Sequence, residues 1–205
     1  MPCRQPSLFE TGAPGLSPLG GSAVRTELGD GAWVELRREW ITGPGPLFER
    51  LLRTVPWRAE RRPMYGRMID VPRLVCFYDD AAALPDPFLV RAMAELNAGY
   101  GVSDPFRTVG CCLYRGGSDS VAWHGDRIGR GASEDTLVAV VSLGAGRRFL
   151  LRPRAGGPAL RFSLRSGDLL VMGGSCQRTW EHSVPKTGRA VEPRISVQFR
   201  PAGVH

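Results

Sequence analysis

The chain has 205 residues, 42% of them hydrophobic and 23% charged, which suits one globular domain of ordinary composition. No apolar run reaches the length of a membrane span, and the N-terminus lacks the basic-then-apolar pattern of a secretory signal, so we expect a cytoplasmic protein without membrane contact. The net charge of +7 comes almost entirely from arginine, and a basic balance is compatible with a nucleic-acid partner without requiring one.

The first thirty residues differ in composition from the rest of the chain. Residues 1–30 are rich in Gly, Pro and Ser and show no periodicity, which predicts a flexible N-terminal extension. The alternation of apolar and polar residues over Ala32–Leu36 then indicates a short strand. A helix is predicted from Pro46, because apolar residues recur at helical spacing up to Val55 and Pro56 ends the pattern.

A basic stretch with interspersed aromatic residues follows. Its arginines are Arg50, Arg53, Arg58, Arg61, Arg62, Arg67 and Arg73, and its aromatic residues are Trp57, Tyr65, Phe77 and Tyr78. Arginines for phosphates and aromatic faces for bases are typical of a nucleic-acid surface. A solvated basic face whose aromatic residues pack in the core is the alternative, and the stretch alone does not decide between the two.

The second half of the chain is predicted to be mostly β. A helix precedes it, capped by Asp86, opened by Pro87 and ended before Gly101. The strands predicted after it are Thr108–Tyr114, Val121–His124, Thr136–Leu143, Arg148–Leu151, Ala159–Leu164, Asp168–Met172, Thr179–Val184 and Arg194–Arg200. We therefore expect a mostly β protein with flanking helices (α+β), built as a double-stranded β-helix, or jelly roll, with the helices against one sheet.

Two of the three histidines are candidates for a metal site. His124 and Asp126 are separated by one residue, so at the end of a strand they point to the same face. With His182 they complete a set of two His and one carboxylate, which holds Fe(II) and leaves positions open for other ligands. A surface His bonded to a nearby carboxylate is the alternative for the His-x-Asp pair by itself.

The last predicted strand carries a second candidate site. Arg194, Ser196, Gln198 and Arg200 share one face by the period of two. A dicarboxylate co-substrate could pair with both arginines, and an edge strand with a solvated face is the alternative. The five cysteines are odd in number and form no CxxC, so we expect free thiols rather than disulfides or a cysteine-rich zinc site.

The His124-Gly125-Asp126 segment, the distal His182 and the Arg194-x5-Arg200 strand together resemble the AlkB family of Fe(II)/2-oxoglutarate dioxygenases. The resemblance runs from about Met64 to Arg200 and includes Leu113–Gly117, Ser166–Met172, Trp180–Pro185 and Phe199–Arg200. It implies a single dioxygenase domain over residues 31–205, with residues 57–80 as a nucleic-acid-binding lid. It also implies that His124, Asp126 and His182 are the iron ligands and the catalytic centre.

The resemblance assigns further residues to the co-substrate. Arg194 would pair with the distal carboxylate of 2-oxoglutarate, Tyr114 would donate its hydroxyl, and Arg200 would hold the end next to the metal. Cys112 and Ser196 stand in the same site at positions where the family usually carries Asn. Serine still donates a hydrogen bond, whereas a thiol does so weakly.

The resemblance also implies a reaction. An oxidative demethylase of this kind uses Fe(II), 2-oxoglutarate and O2 to remove N-alkyl groups from damaged bases in DNA, with RNA as a further substrate to test, and releases formaldehyde, succinate and CO2. The implied nucleic-acid contacts are Tyr65, Arg67, Arg73, Tyr78 and Arg127. Trp123 is a weaker candidate for packing the flipped base, because strand alternation turns it away from His124.

Two other functions stay open from the sequence. The same chemistry could act on a protein or a small molecule, although the basic stretch argues against this. A non-catalytic jelly-roll binding module is the third hypothesis, and binding of 2-oxoglutarate discriminates against it. We expect the protein to be a monomer.

Overall fold

The computed structural model describes residues 12–21, 23–64, 67–100 and 104–204. The strands in these residues are β1 (Gly15–Leu16), β2 (Val24–Gly29), β3 (Ala32–Arg37), β4 (Ile41–Thr42), β5 (Arg58–Met64), β6 (Arg67–Tyr78), β7 (Phe106–Tyr114), β8 (Val121–His124), β9 (Val138–Gly144), β10 (Arg147–Pro153), β11 (Leu160–Leu164), β12 (Leu169–Gly173), β13 (Trp180–Val184) and β14 (Arg194–Pro201). The α-helices are α1 (Gly45–Thr54), α2 (Pro87–Tyr100) and α3 (Cys176–Thr179), with 3-10 turns at Ala81–Ala83 and Arg130–Ala132.

The strands form two antiparallel sheets that face each other. The large sheet has eight strands in the order β2-β3-β12-β9-β14-β7-β6-β5, and the small sheet has four in the order β11-β10-β13-β8. Strands β1 and β4 pair separately. This arrangement confirms the predicted jelly roll. Among the described residues, no helix has both the length and the apolar character needed to cross a membrane.

Strand alternation divides the interior into two hydrophobic cores. In β9, Val138 and Val140 pack between the two sheets, whereas Ala139 and Val141 pack with α1 and α2 on the other face of the large sheet. The same period of two runs through β12 and β14. The helices thus cover the outer face of the large sheet, as predicted, and its inner face is left for the site.

The helix starts agree with their sequence signals. Pro46 lies in the first turn of α1, and at the start of α2 the backbone N–H of Phe88 donates to Oδ1 of Asp86 at 2.9 Å. Oδ2 of Asp86 accepts from Nε of Arg50 in α1 at 2.6 Å, so one carboxylate caps one helix and binds the other. The predicted stop at Gly101 lies outside the described residues.

The N-terminal half contains more strand than the sequence indicated. Strand β2 lies within the predicted flexible extension and pairs with β3, for example Thr26 with Val34. The polar, half-exposed residues of β2 carry little apolar periodicity, so only the partner strand reveals it. Strands β5 and β6 form a hairpin from the basic stretch, and β6 continues the large sheet by pairing with β7.

Candidate active site

The direct pairing of β8 with β13 brings His124 and His182 together. The two residues are register partners, and their ring centroids lie 4.3 Å apart. Asp126 follows the end of β8, and its Oδ1 lies 3.9 Å from Nε2 of His124. One potential ligand atom from each of the three residues lies within 4.8 Å of the others. Two imidazoles and one carboxylate at this spacing fit a three-ligand Fe(II) centre.

Asp126 is buried and is held both at its carboxylate and at its backbone N–H. Nε of Arg200 donates to its Oδ2 at 2.7 Å, and the backbone N–H of Asp126 donates to Oε1 of Gln177 at 2.9 Å. Burial by itself raises the pKa of this carboxyl, but Arg200 and the two histidines lower it more, so the group is ionised. A Cβ at Gly125 would lie 2.5 Å from the carbonyl oxygen of Gln177, so only glycine fits between the two ligands.

The surroundings of the two histidines favour metal binding in different ways. Nδ1 of His124 lies 2.8 Å from the carbonyl oxygen of Ala122, and since a carbonyl only accepts, this nitrogen carries the proton and Nε2 offers its lone pair. His182 stacks on Phe149 with ring centroids 5.3 Å apart. Burial, followed by the nearby His124, lowers the pKa of His182 to about 3, which keeps its imidazole neutral.

Arg194 is a buried cation on the inner face of the large sheet, and it has no acidic partner among the described residues. Arg194 is 1% exposed, and its Nε donates to the hydroxyl of Ser142 at 2.8 Å. Its Nη1 is also buried and has no hydrogen-bond partner among the described residues. Burial lowers the pKa of Arg194, which reflects the cost of an unpaired buried charge. A carboxylate of 2-oxoglutarate fits this cation and would remove that cost.

The other predicted co-substrate residues lie on the same wall. Arg194 pairs in register with Tyr114, and Ser196 pairs with Cys112, across β14 and β7. The Tyr114 ring lies 5.2 Å from the Arg194 guanidinium, and burial raises the pKa of its hydroxyl to about 12, so the hydroxyl stays protonated and can donate. Arg200 completes the row, and its ion pair with Asp126 is a contact that the sequence did not indicate.

A cavity of about 880 Å³ opens beside two of the three candidate ligands, His124 and Asp126. Its inner wall includes His124, Asp126 and Arg200. Its outer wall comes from the β5–β6 hairpin and includes Arg58 and Tyr78. The metal centre and the predicted lid therefore face one common space, which is large enough to admit a nucleic-acid base.

The predicted nucleic-acid contacts differ in their positions relative to the cavity. Tyr65 lies outside the described residues, and so does the side chain of Arg67, which begins β6. Tyr78 borders the cavity, but it also packs against the helix-side core, and burial raises the pKa of its hydroxyl. Arg127 is exposed next to the cavity mouth, where Ile128 forms part of the lining. Trp123 is absent from the cavity lining and packs under Arg152 at 4.1 Å, as strand alternation predicted.

Arg73, which the resemblance implies as a phosphate or lesion contact, lines the cavity from β6. Its side chain points to the inner face of the large sheet. Its Nε is buried without a hydrogen-bond partner among the described residues, and its Nη1 lies 3.5 Å from the carbonyl oxygen of Ser120. Tyr114 and Cys112 are close enough to interact with its charge. The inward direction of this position on β6 places Arg73 beside the co-substrate wall.

The charge of the basic stretch is partly neutralised within the protein. Arg50 pairs with Asp86, Arg53 lies 3.9 Å from Glu49, and Arg61 lies 3.0 Å from Asp70. Arg58, at the cavity wall, has no ion-pair or hydrogen-bond partner for its side chain within the described ranges. The field available to a phosphate backbone is therefore smaller than the arginine count suggests.

Sequence reasoning did not find Arg147. This residue is 4% exposed and donates to the carbonyl oxygens of Gly116, Asp119 and Pro185 at 2.7 to 2.9 Å. Its guanidinium lies 5.5 Å from the Tyr114 ring. Arg147 thus ties together the loops behind the Arg194 site. No motif marks it, because its partners are backbone carbonyls of three distant segments.

Comparisons with known proteins agree with this geometry. Residues 77–200 match the family model of the 2OG-Fe(II) oxygenase superfamily. The chain is 31% identical over 189 residues to alpha-ketoglutarate-dependent dioxygenase alkB homolog 3 of Bos taurus, covering 78% of this chain and 63% of that protein. It is 30% identical over 211 residues to the Homo sapiens homolog, covering 90% and 68%.

A plant relative and a solved structure extend the comparison. DNA oxidative demethylase ALKBH2 of Arabidopsis thaliana is 28% identical over 198 residues, covering 75% of this chain and 60% of that protein. The chain therefore spans between 60% and 68% of the length of these three relatives. The structure of OsALKBH1 superposes with a TM-score of 0.60 at 17% identity, covering 85% of this chain and all of that one, which supports the fold.

Proposed function

Because the chain belongs to the AlkB family of 2OG-Fe(II) oxygenases, we propose that it is an Fe(II)/2-oxoglutarate-dependent oxidative demethylase of N-alkylated bases in DNA. The observation that carries the proposal is the shared inner face. Three potential metal ligands lie at one end of it, and Arg194, whose buried Nη1 has no hydrogen-bond partner among the described residues, lies further along β14. A relative named as a DNA oxidative demethylase supports the substrate class.

Each residue of the inner face has a distinct role in the proposal. His124, Asp126 and His182 would hold the iron, with Arg200 fixing the carboxylate of Asp126 and Gln177 accepting from its backbone N–H. Arg194 and the protonated hydroxyl of Tyr114 bind the distal carboxylate of 2-oxoglutarate. Ser196, Cys112 and the remaining N–H groups of Arg200 lie alongside the rest of the co-substrate.

The bound iron and co-substrate would supply the reactive chemistry, and the protein would bind and orient them. When bound, Fe(II) and 2-oxoglutarate supply a centre that uses O2 to hydroxylate an N-methyl carbon, with 2-oxoglutarate converted to succinate and CO2. The resulting N-hydroxymethyl group breaks down to formaldehyde and the repaired base. The buried wall of β7 and β14 excludes water from this side of the space, and His182, whose pKa is lowered by burial, stays neutral there.

The substrate base reaches the metal through the 880 Å³ cavity. A base inside a duplex cannot enter such a site, so it must leave its stack first. Tyr78, which borders the cavity, is proposed as a contact for the base, and Arg58 offers a cation for a neighbouring phosphate. Tyr65, Arg67 and Arg127 are proposed as further contacts from the lid and the cavity mouth.

We also propose that the protein acts as a monomer in the cytoplasm. The candidate site is assembled from strands of one chain. Cys76, Cys111, Cys112 and Cys176 are free thiols, which suits a reducing compartment. Size-exclusion chromatography with light scattering tests the first part, and a dimer mass would contradict it.

The experiment for the proposed function uses an oligonucleotide that carries 1-methyladenine or 3-methylcytosine. The protein is incubated with it, Fe(II), ascorbate and 2-oxoglutarate, and the oligonucleotide is weighed by mass spectrometry. Loss of one methyl group that requires 2-oxoglutarate and is absent in His124→Ala supports the proposal. Turnover of 2-oxoglutarate with an unchanged oligonucleotide would contradict it and favour a protein or small-molecule substrate. The same assay with methylated RNA decides between the two nucleic acids.

A further inference from the structure

Two side chains lie between the arginines that bracket the co-substrate wall. Arg194 and Arg200 are six residues apart on β14, which is roughly 20 Å of extended strand. Ser196 and Gln198 stand between them on the same inner face. Ser196 is the next inward position after Arg194 along the strand, so it flanks a carboxylate that binds to Arg194.

The amide of Gln198 is fixed by Ser196. Its Nε2 donates to the hydroxyl oxygen of Ser196 at 2.6 Å and to the carbonyl oxygen of Ser196 at 3.1 Å. The carbonyl can only accept, so the nitrogen end of the amide faces Ser196 and both of its protons are used. Its Oε1 lies 3.8 Å from Sγ of Cys112, which can donate to it.

This arrangement leaves the proton of the Ser196 hydroxyl available. A hydroxyl has one proton and two acceptor sites, and here Oγ already accepts from Gln198. In the part of the chain that the structure describes, no group accepts a hydrogen bond from this hydroxyl. Ser196 is 3% exposed, so its proton needs an acceptor from a bound molecule.

The neighbouring strand is adapted to hold Gln198 in this place. Gly110 of β7 is the register partner of Gln198. A Cβ at Gly110 would lie 2.9 Å from Oε1 of Gln198 and 2.8 Å from Nη1 of Arg200. A glycine inside a strand costs stability, and here the missing Cβ gives the two side chains their space. Gln198, Gly110 and Arg200 all line the cavity beside Asp126.

We propose that Gln198 is a positioning residue for 2-oxoglutarate, acting through Ser196. Its amide holds the Ser196 hydroxyl as an acceptor, so that the hydroxyl proton points to a carboxylate of the co-substrate. This inference rests on the proposed function for the identity of the co-substrate. It adds a residue that neither the metal centre nor the two arginines account for.

The test measures co-substrate binding without turnover. Under anaerobic conditions, Fe(II)-loaded protein is titrated with 2-oxoglutarate, and the metal-to-ligand charge-transfer absorption reports the complex. Gln198→Met keeps the length of the side chain and removes the amide. We expect its Kd for 2-oxoglutarate to rise roughly ten-fold, as for one lost charge-assisted hydrogen bond. An unchanged Kd would overturn the inference.

A double-mutant cycle with Ser196→Ala separates positioning from a structural effect. Ser196→Ala is expected to weaken binding by about the same factor, and adding Gln198→Met should then cost less than about two-fold. Two independent losses that multiply to roughly a hundred-fold would overturn the inference, since Gln198 would then not act through Ser196. Thermal unfolding and Fe(II) content are measured for each variant.

A second substitution keeps the inference testable if Gln198→Met does not fold. Gln198→Glu preserves the shape but removes the two donors, so the Ser196 hydroxyl turns its proton to the new carboxylate. We expect weaker binding of 2-oxoglutarate from Gln198→Glu, with the loss reduced in the Ser196→Ala background. Equal losses in both backgrounds would overturn the inference, because charge repulsion alone would then explain them.

Failure of the inference can be told apart from failure of the proposed function. The titration contains no nucleic acid, so an inactive oligonucleotide assay leaves its outcome unaffected. If the unsubstituted protein forms the complex and Gln198→Met binds as tightly, only the inference fails. If the unsubstituted protein forms no complex with 2-oxoglutarate, the inference and the proposed function both fail.

Discussion

The inner wall of the jelly roll and the β5–β6 hairpin face the same cavity but are built differently. On the inner wall, the Asp126 carboxylate, Arg194 and Ser196 are each less than 5% exposed and are fixed by hydrogen bonds to specific atoms. On the hairpin, Met68 is 51% exposed, and Arg61 pairs with Asp70 at the surface. The inner wall is therefore buried and preorganised, whereas the hairpin, the proposed substrate face, is exposed, and substitutions in the two regions should differ in the size and kind of their effects.

The largest effect is expected at the metal centre. Asp126→Asn keeps the shape of the side chain and its place beside Arg200 but removes the anionic ligand. Groups that merely support a ligand change metal affinity by roughly 10- to 100-fold, so loss of the ligand itself should reduce Fe(II) affinity and turnover by more than that. Fe(II) content by elemental analysis and succinate formation check this. Normal iron loading in Asp126→Asn would contradict the assignment.

Arg194→Met should show a loss of binding together with a gain in apoprotein stability. Binding of 2-oxoglutarate should weaken by roughly 100-fold, because a buried charge-assisted pair is lost. The free protein should unfold at an equal or higher temperature, because the unpaired buried cation is gone. Calorimetry with and without 2-oxoglutarate measures both. A clear loss of apoprotein stability would mean that Arg194 is structural.

Arg147→Met is the matched control for that substitution. Arg147 is buried like Arg194, but its guanidinium donates to three backbone carbonyls. Its removal leaves these acceptors unsatisfied and should cost about 3 kcal/mol of unfolding free energy. Chemical denaturation of the apoprotein checks the value. If both substitutions changed the unfolding free energy of the apoprotein equally, Arg194 could not be distinguished from a structural arginine such as Arg147.

The smallest effect is expected at the hairpin. Arg58→Ala should raise the KM for a methylated oligonucleotide by a few-fold and reduce the salt dependence of binding by about one unit of slope. The 2-oxoglutarate affinity should not change. Arg161→Ala, on the exposed edge strand β11 away from the cavity, is the control. A similar slope for both variants would mean that Arg58 does not contact phosphate.

The same contrast explains what the sequence could predict. The inner wall follows from a period of two: Arg194 and Ser196 face inward because Ile195 and Val197 are apolar. His124 and Asp126 were found because two ligands two positions apart share a direction. Arg147 and Gln198 were missed as functional residues, since their roles depend on distant carbonyls and on the space above Gly110, which no local pattern encodes.

The hairpin side could be predicted less well. The direction of Arg73 was not evident, because Pro72 and the irregular β5–β6 pairing leave no clean alternation around it. The strand β2 within the predicted extension was missed because its stability depends on pairing with β3. A count of arginines also overstates the positive charge available to a phosphate, because Arg50 pairs with Asp86 and Arg61 pairs with Asp70. Neither pairing is marked by a sequence motif.

The most direct test of the account is the stoichiometry of turnover on a defined oligonucleotide. Succinate and repaired base are counted in the same reaction, with a single 1-methyladenine or with adenine at the same position. The account predicts one succinate per methyl group removed, with little succinate from the unmethylated control. Succinate formed at the same rate with either oligonucleotide, without repair, would contradict the claim that the inner wall and the cavity form a demethylase for alkylated bases.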